Sequence, residues 1–219
     1  MEEKIEVWLV DLDQHTKDEE FYFSILSDEE KARALRFVTK QLTSRYVISQ
    51  GALRTILGKY TNQKVEYTFG PYKKPYLANS SLQFNLSHSH DKALIAISDE
   101  EVGVDIEKIN RQVLEKNLET SLLSEQELKI FESIPLDVRP EVFYFAWTNK
   151  EALLKLAGVG LYKPMTEFQV LLHHSDSPSM ILFEDKQYYV KSFRPWPEFI
   201  AAVATAKQHF DLAYKTFAK

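Results

Sequence analysis

Two Ser-x-x-Glu segments, Ser27-Asp28-Glu29-Glu30 and Ser124-Glu125-Gln126-Glu127, constrain this chain most, because each has the form of a capping box. In such a box a serine and the acid three positions on bond reciprocally to backbone N–H groups and fix where a helix begins. Helical periodicity follows each box, and short alternating segments follow the helices. After the first box the pattern predicts a helix through Phe37 and a second over 41–58, burying Tyr46, Ile48, Ala52, Leu53, Ile56 and Leu57 and ending at Gly58. A strand at 5–10 precedes them. Strands at 65–69, 84–87, 92–98 and 102–106 follow, with a turn over 70–75 and a His-rich loop between 87 and 92. The second half predicts helices near 111–121, 124–133 and 139–157, then strands at 167–172, 180–184, 187–193 and 199–205. Each half thus supplies helices and a small, mostly antiparallel sheet, which is an α+β arrangement. No strict sequence repeat is present, so a pseudo-twofold relation rests on element order alone.

Composition narrows the function classes. The 219 residues carry 27 Lys+Arg against 32 Asp+Glu, a formal charge of −5, which excludes a purely basic nucleic-acid coating. With no cysteine there is no disulfide framework, thiolate nucleophile or Cys-ligated zinc, in keeping with a reducing compartment. The N-terminus begins acidic and lacks a small-residue cleavage site, so it reads as a first strand and not as a signal peptide. No apolar stretch reaches the roughly 18 residues of a membrane helix. A cytoplasmic protein with no membrane partner is the expectation.

Three constellations can carry chemistry. In Gly103-Val104-Asp105-Ile106-Glu107 strand alternation puts two carboxylates on one face, roughly 7 Å apart at the backbone. They are either a solvated pair or ligands for a hard cation such as Mg²⁺, which binds few carboxylates and keeps room for phosphate oxygens. In Trp147-Thr148-Asn149-Lys150-Glu151-Ala152-Leu153-Leu154-Lys155 the positions 147, 151 and 155 share a helix face. Glu151 and Lys155 are then a surface ion pair, unless Trp147 draws them toward a cleft. Residues 31–60 contain Lys31, Arg33, Arg36, Lys40, Arg45, Arg54 and Lys59 and no acid, a solvated run or a local anion-binding field. Lys73-Lys74-Pro75 adds cations on a turn, and Ser87-His88-Ser89-His90-Asp91 adds donors; no recognised zinc spacing completes His88 and His90. Taken together the three suit a polyphosphate compound, with cations for outer phosphates, a divalent ion on a pyrophosphate and a carboxylate to take a proton.

The segments Phe84-Asn85-Leu86-Ser87-His88-Ser89, Gly103-Val104-Asp105-Ile106-Glu107-Lys108 and Trp147-Thr148-Asn149-Lys150-Glu151 with Lys155 resemble, in order and separation, the three signature motifs of the 4′-phosphopantetheinyl transferases. The length and Tyr72-Lys73-Lys74-Pro75 resemble the Sfp-type branch of monomeric pseudo-dimers. That resemblance implies two similar α+β subdomains, a coenzyme A-binding one at 1–102 and one with the metal-binding acids and catalytic helix at 103–219. It implies transfer of the 4′-phosphopantetheine arm of coenzyme A to a serine of an acyl or peptidyl carrier protein, leaving adenosine 3′,5′-bisphosphate. Asp105, Glu107 and Glu151 match the Mg²⁺-binding acids, with Mn²⁺ equally compatible. Glu151 is the expected base, and Lys155 matches the lysine at the reacting phosphate. Arg33, Arg45, Lys74, Ser87 and His88 match coenzyme A contacts, His88 at the 3′-phosphate.

Two departures from the pattern stand out: Lys73 occupies a position usually held by glycine, and Leu122-Leu123 replaces an aromatic pair. The apolar stretch Val113, Leu114, Leu118, Leu122 and Leu123 is either a docking surface for a carrier helix or core packing. A Mg²⁺-dependent coenzyme A or nucleotide hydrolase and a non-catalytic carrier-binding module are the other readings.

Overall fold

A computed structural model describes residues 3–61 and 63–218. The first half runs β1 (Glu3–Asp11), α1 (Glu19–Ile25), α2 (Asp28–Ala34), α3 (Lys40–Leu57), β2 (Tyr67–Phe69), β3 (Pro75–Leu77), β4 (Gln83–Ser89) and β5 (Lys92–Ser98). The second runs β6 (Val102–Lys108), α4 (Glu119–Leu122), α5 (Glu125–Ser133), α6 (Arg139–Ala157), β7 (Ser179–Phe183), β8 (Lys186–Phe193), β9 (Phe199–Thr205) and β10 (Phe210–Thr216). The strands form two four-stranded sheets, ordered β10-β1-β5-β4 and β6-β9-β8-β7, and a separate β2-β3 hairpin. The architecture is α+β, as the sequence pattern predicts.

Both capping boxes form. Ser27 Oγ accepts from Glu30 N at 3.2 Å while Glu30 accepts from Ser27 N at 2.8 Å, and Ser124 and Glu127 reciprocate at 3.3 and 2.8 Å. The first box starts a helix that stops at Ala34, short of Phe37. Leu35 and Val38 find no core and stand exposed, and Thr39 is extended so that its hydroxyl can cap α3 at Leu42 N, 3.2 Å away. The predicted buried side of α3 is buried throughout.

Three apolar clusters divide the labour. One lies between α1, α3 and the first sheet, and one between α6 and the second sheet. The third packs the two sheets together through Ile5, Val7, Leu94 and Ala96 against Val104, Ile106, Ala201 and Val203.

Helix α6 lies directly on β6, and glycine makes that approach possible. A Cβ on Gly103 would sit 2.0 Å from the Ala152 carbonyl oxygen and 2.5 Å from Leu156 N. The helix is also anchored from within by Lys150, which is fully buried. Its ammonium reaches Glu127 Oε2 at 2.6 Å and the carbonyls of Leu122, Met165 and Phe168 at 2.9 Å each.

The pattern misleads in three places. The expected helix at 111–121 is a 3-10 turn (Val113–Lys116) and the single turn α4, separated by Asn117 in a left-handed conformation at φ 49°. The expected strand at 167–172 is irregular: its residues alternate because Phe168, Val170 and Leu172 are buried, but Val170 N donates to Glu127 Oε1 at 2.8 Å and not to a neighbouring strand. The last strand, β10, was not anticipated. It returns to the first sheet and pairs in parallel with β1, Glu3 opposite Phe210 through Leu9 opposite Thr216.

Removing one member of a buried ion pair strands the other charge. Lys150→Ala should therefore lower the unfolding free energy in urea denaturation by about 3–5 kcal/mol. A loss below about 1 kcal/mol would show that the ammonium does not organise this lobe.

Candidate active site

The edge strands β4 and β6 of the two four-stranded sheets lie against each other, and side chains make the joint. Along β4 the residues facing β6 are Asn85, Ser87 and Ser89, spaced by the two-residue period of a strand. Asn85 Oδ1 accepts from Val104 N at 2.9 Å, Ser87 Oγ from Ile106 N at 3.4 Å and Ser89 Oγ from Lys108 N at 3.1 Å. The backbone donors of the buried β6 edge are thus satisfied without a ladder. Each serine then donates its own proton onward, Ser87 to Asp105 Oδ1 and Ser89 to Glu107 Oε2, both at 2.8 Å.

From the other side α6 presents Glu151 and Lys155, one turn apart. Lys155 Nζ lies 2.6 Å from Asp105 Oδ1 and 2.8 Å from Ser87 Oγ. The ammonium therefore bridges the strand acid and the β4 serine. Trp147, one turn before Glu151, is half-buried and stacks on Phe143 with centroids 6.0 Å apart, so this face does turn inward.

The three carboxylates share one electrostatic neighbourhood. Burial pushes the Glu107 carboxyl up to about 7; Asp105 and Glu151 add to the rise, while Ser89 and Lys155 oppose it. Burial and then Asp105 raise Glu151, against the pull of Lys155. Like charges crowded in a desolvated place call for a cation. Among the described residues, no three His, Cys, Asp or Glu side chains are drawn together closely enough to hold an ion. The donor chemistry nonetheless fits a hard divalent cation: the set is all carboxylate oxygen, and Asp105 Oδ2 is buried with no hydrogen-bond partner.

His88 points away from β6, on the alternate face of β4. Its ring is exposed yet sits among crowded protein atoms, and that crowding, with the charges of Lys155 and Arg33, holds its imidazole below the usual range. Arg33 is exposed on α2, its guanidinium 5.4 Å from the Tyr46 ring centre. It lines a concavity of about 600 Å³ with Arg36 and Phe37, and a second of about 600 Å³, also bordered by Phe37, contains Lys40 and Arg45. Arg45 is committed to a bidentate pair with Asp13 at 3.0 and 2.9 Å. An apolar pocket of about 330 Å³ beside the first turns of α6, lined in part by Phe145, Leu172 and Phe193, shares none of these residues.

Two expectations change. The Lys74 ammonium is turned into the protein: it is buried and donates to the Leu156 carbonyl at 2.8 Å, capping the C-terminal end of α6 across the joint between the halves. Its pKa is lowered by burial. Val113, Leu114, Leu118, Leu122 and Leu123 do not form a free surface. Val113, Leu122 and Leu123 are buried in the second cluster and the other two pack against it, because the turn at Asn117 folds the stretch back onto the core. The His-rich segment is strand through Ser89, and only His90 and Asp91 turn. The motifs contain Asn85, Ser89 and Lys150 without marking their joining and anchoring roles, although the polar alternation at 85, 87 and 89 is a readable sign of a strand facing polar partners.

Residues 101–206 match the family model of the 4′-phosphopantetheinyl transferase superfamily. Curated relatives carry the same description. The 4′-phosphopantetheinyl transferase HetI of Nostoc sp. is 31% identical over 180 residues, covering 78% of this chain and 76% of that protein. Sfp of Bacillus subtilis is 27% identical over 199 residues, covering 89% and 88%. The gsp transferase of Aneurinibacillus migulanus is 25% identical over 188 residues, covering 84% and 76%.

The raised Glu107 carboxyl has a consequence for stability. With a folded value of about 7 against the usual 4.5, folding takes up a proton in this interval, so stability is unpenalised below it and falls as pH rises through it. Glu107→Gln removes that penalty. Denaturation without divalent cations should find the variant more stable relative to wild type at pH 8 than at pH 4.5, by on the order of 2–3 kcal/mol. A difference independent of pH would contradict the assignment.

Proposed function

This chain belongs to the 4′-phosphopantetheinyl transferases, and from that premise we propose that it moves the 4′-phosphopantetheine arm of coenzyme A onto a serine hydroxyl of an acyl or peptidyl carrier protein. The serine oxygen forms a bond to the β-phosphorus, the bond from that phosphorus to the bridging oxygen breaks, and adenosine 3′,5′-bisphosphate leaves. The observation that carries the reading is the seam itself: Asp105 and Glu107 on β6, Glu151 and Lys155 on α6 and Ser87 on β4 share one electrostatic neighbourhood, next to His88, which feels both Lys155 and Arg33 of the first half.

In this proposal Asp105, Glu107 and Glu151 hold Mg²⁺ or Mn²⁺, oxygen ligands accepting either. Bound there, the ion supplies positive charge to the pyrophosphate. Lys155 transfers its ammonium from Asp105 to the reacting phosphate, where it neutralises charge building on the transferred group. Glu151, one helical turn before Lys155, takes the proton from the carrier serine, directly or through a water. Ser87, His88, Arg33 and Arg45 bind coenzyme A, His88 at the 3′-phosphate. The functional division follows the chain, with 1–102 binding the coenzyme and 103–219 carrying the acids and the catalytic helix, β10 lending its backbone to the first sheet. Among the described residues no helix is long and apolar enough to cross a membrane. A cytoplasmic monomer completes the proposal.

Intact mass of a carrier protein incubated with the chain, coenzyme A and Mg²⁺ tests the reaction. A gain of one phosphopantetheine is expected, while release of adenosine bisphosphate without any carrier would instead identify a hydrolase. Lys155→Ala should lower kcat by about 10²–10³ with a smaller effect on coenzyme A affinity. Equal turnover in the variant would reject the role. His88→Ala should lose the preference for coenzyme A over dephospho-coenzyme A, and a wild-type preference would move the 3′-phosphate elsewhere.

A further inference from the structure

The seam contains one hydrogen bond to which the proposed reaction gives no task, that from Ser89 to Glu107. Ser89 is buried at the end of β4, with its Oγ 2.8 Å from Glu107 Oε2 and 3.1 Å from Lys108 N. A hydroxyl has one proton. With the Lys108 N–H occupying a lone pair, that proton is directed across the joint. His90 Nδ1, at 3.3 Å, is the competing acceptor, but Glu107 Oε2, at 2.8 Å, is nearer. The bond therefore fixes one oxygen of Glu107 against β4 and leaves Oε1 on the side away from Ser89.

We propose that Ser89 is a positioning residue that orients Glu107 for the divalent cation, an inference that rests on the reading of the seam as a metal site. The same arrangement one pleat earlier supports it. Ser87 receives Ile106 N and donates to Asp105, so the two serines of β4 that face β6 each tie a backbone donor of β6 to an acid of β6. Asn85, the third member of the series, receives Val104 N through Oδ1, and that bond leads to no carboxylate. It performs the joining task without the orienting one, and so separates the two. Fixing the ligand in advance matters because outer partners of metal ligands typically govern 10–100-fold in metal affinity.

Mn²⁺ titration of the 219-residue chain, followed by electron paramagnetic resonance of the free ion, tests this in wild type, Ser89→Ala, Ser89→Thr and Asn85→Ala. Ser89→Ala should weaken Mn²⁺ binding by about 10–100-fold, Ser89→Thr should restore it, and raised Mg²⁺ should recover transfer in the alanine variant with the coenzyme A KM unchanged. Asn85→Ala should lower Tm and leave Mn²⁺ affinity at the wild-type value. Wild-type affinity in Ser89→Ala, or equal weakening in Asn85→Ala, overturns the positioning role while the metal site stands. A wild-type chain that binds no Mn²⁺ and transfers without any divalent ion overturns the metal reading, and this role with it.

Discussion

The edge strand β6 has its backbone donors at 104, 106 and 108 satisfied by side chains of β4, and the rest of the structure depends on that substitution. Two edges paired through their own backbones would stand about 4.8 Å apart as one continuous sheet. Inserting Asn85, Ser87 and Ser89 between them puts one amide and two hydroxyl groups into the joint. Those hydroxyls belong to the first half and bond both the backbone and the carboxylates of β6 in the second, so the contact that joins the halves is also the contact that holds Asp105 and Glu107. The fold and the site share the same few atoms.

Helix α6 completes the arrangement because it is held at three heights. Gly103 lets it approach β6, Lys150 ties its middle to Glu127 and three carbonyls, and Lys74 reaches from the first half to its last turn. Glu151 and Lys155 lie between the last two anchors. Of the motif Trp147 to Lys155, Thr148, Asn149 and Lys150 are buried, Asn149 accepting from Ser192 Oγ at 2.6 Å. The motif is therefore part scaffold and part chemistry, and the residues that touch the seam are those one helical turn apart.

Much of this was legible in the residues, and the remainder was not for physical reasons. The capping boxes and the buried side of α3 are local signals, complete within a few residues, and both formed as read. The acids of β6 were legible as a pair because strand alternation alone puts them on one face. Lys74 was not, since an ammonium on a turn looks the same whether it awaits an anion or caps a helix more than 80 residues away in sequence. The leucines at 114–123 failed for a related reason: apolar spacing reports that a face is covered and not by what. At Lys73 the sequence departs from the glycine of the family pattern, and the backbone there is left-handed at φ 66°, a conformation that costs a residue with a Cβ roughly 1–2 kcal/mol. Strand β10 escaped because an edge strand with alternate residues exposed carries little apolar signal.

The central claim is that one joint brings three carboxylates from β6 and α6 around a single ion. An anomalous difference map from crystals grown with coenzyme A and Mn²⁺ addresses it most directly. The account predicts one strong peak within coordinating distance of Asp105 Oδ2, Glu107 and Glu151, with Lys155 turned from Asp105 toward the phosphates. A coenzyme bound in an ordered way with no peak at the seam, or with Mn²⁺ held by other residues, would contradict it.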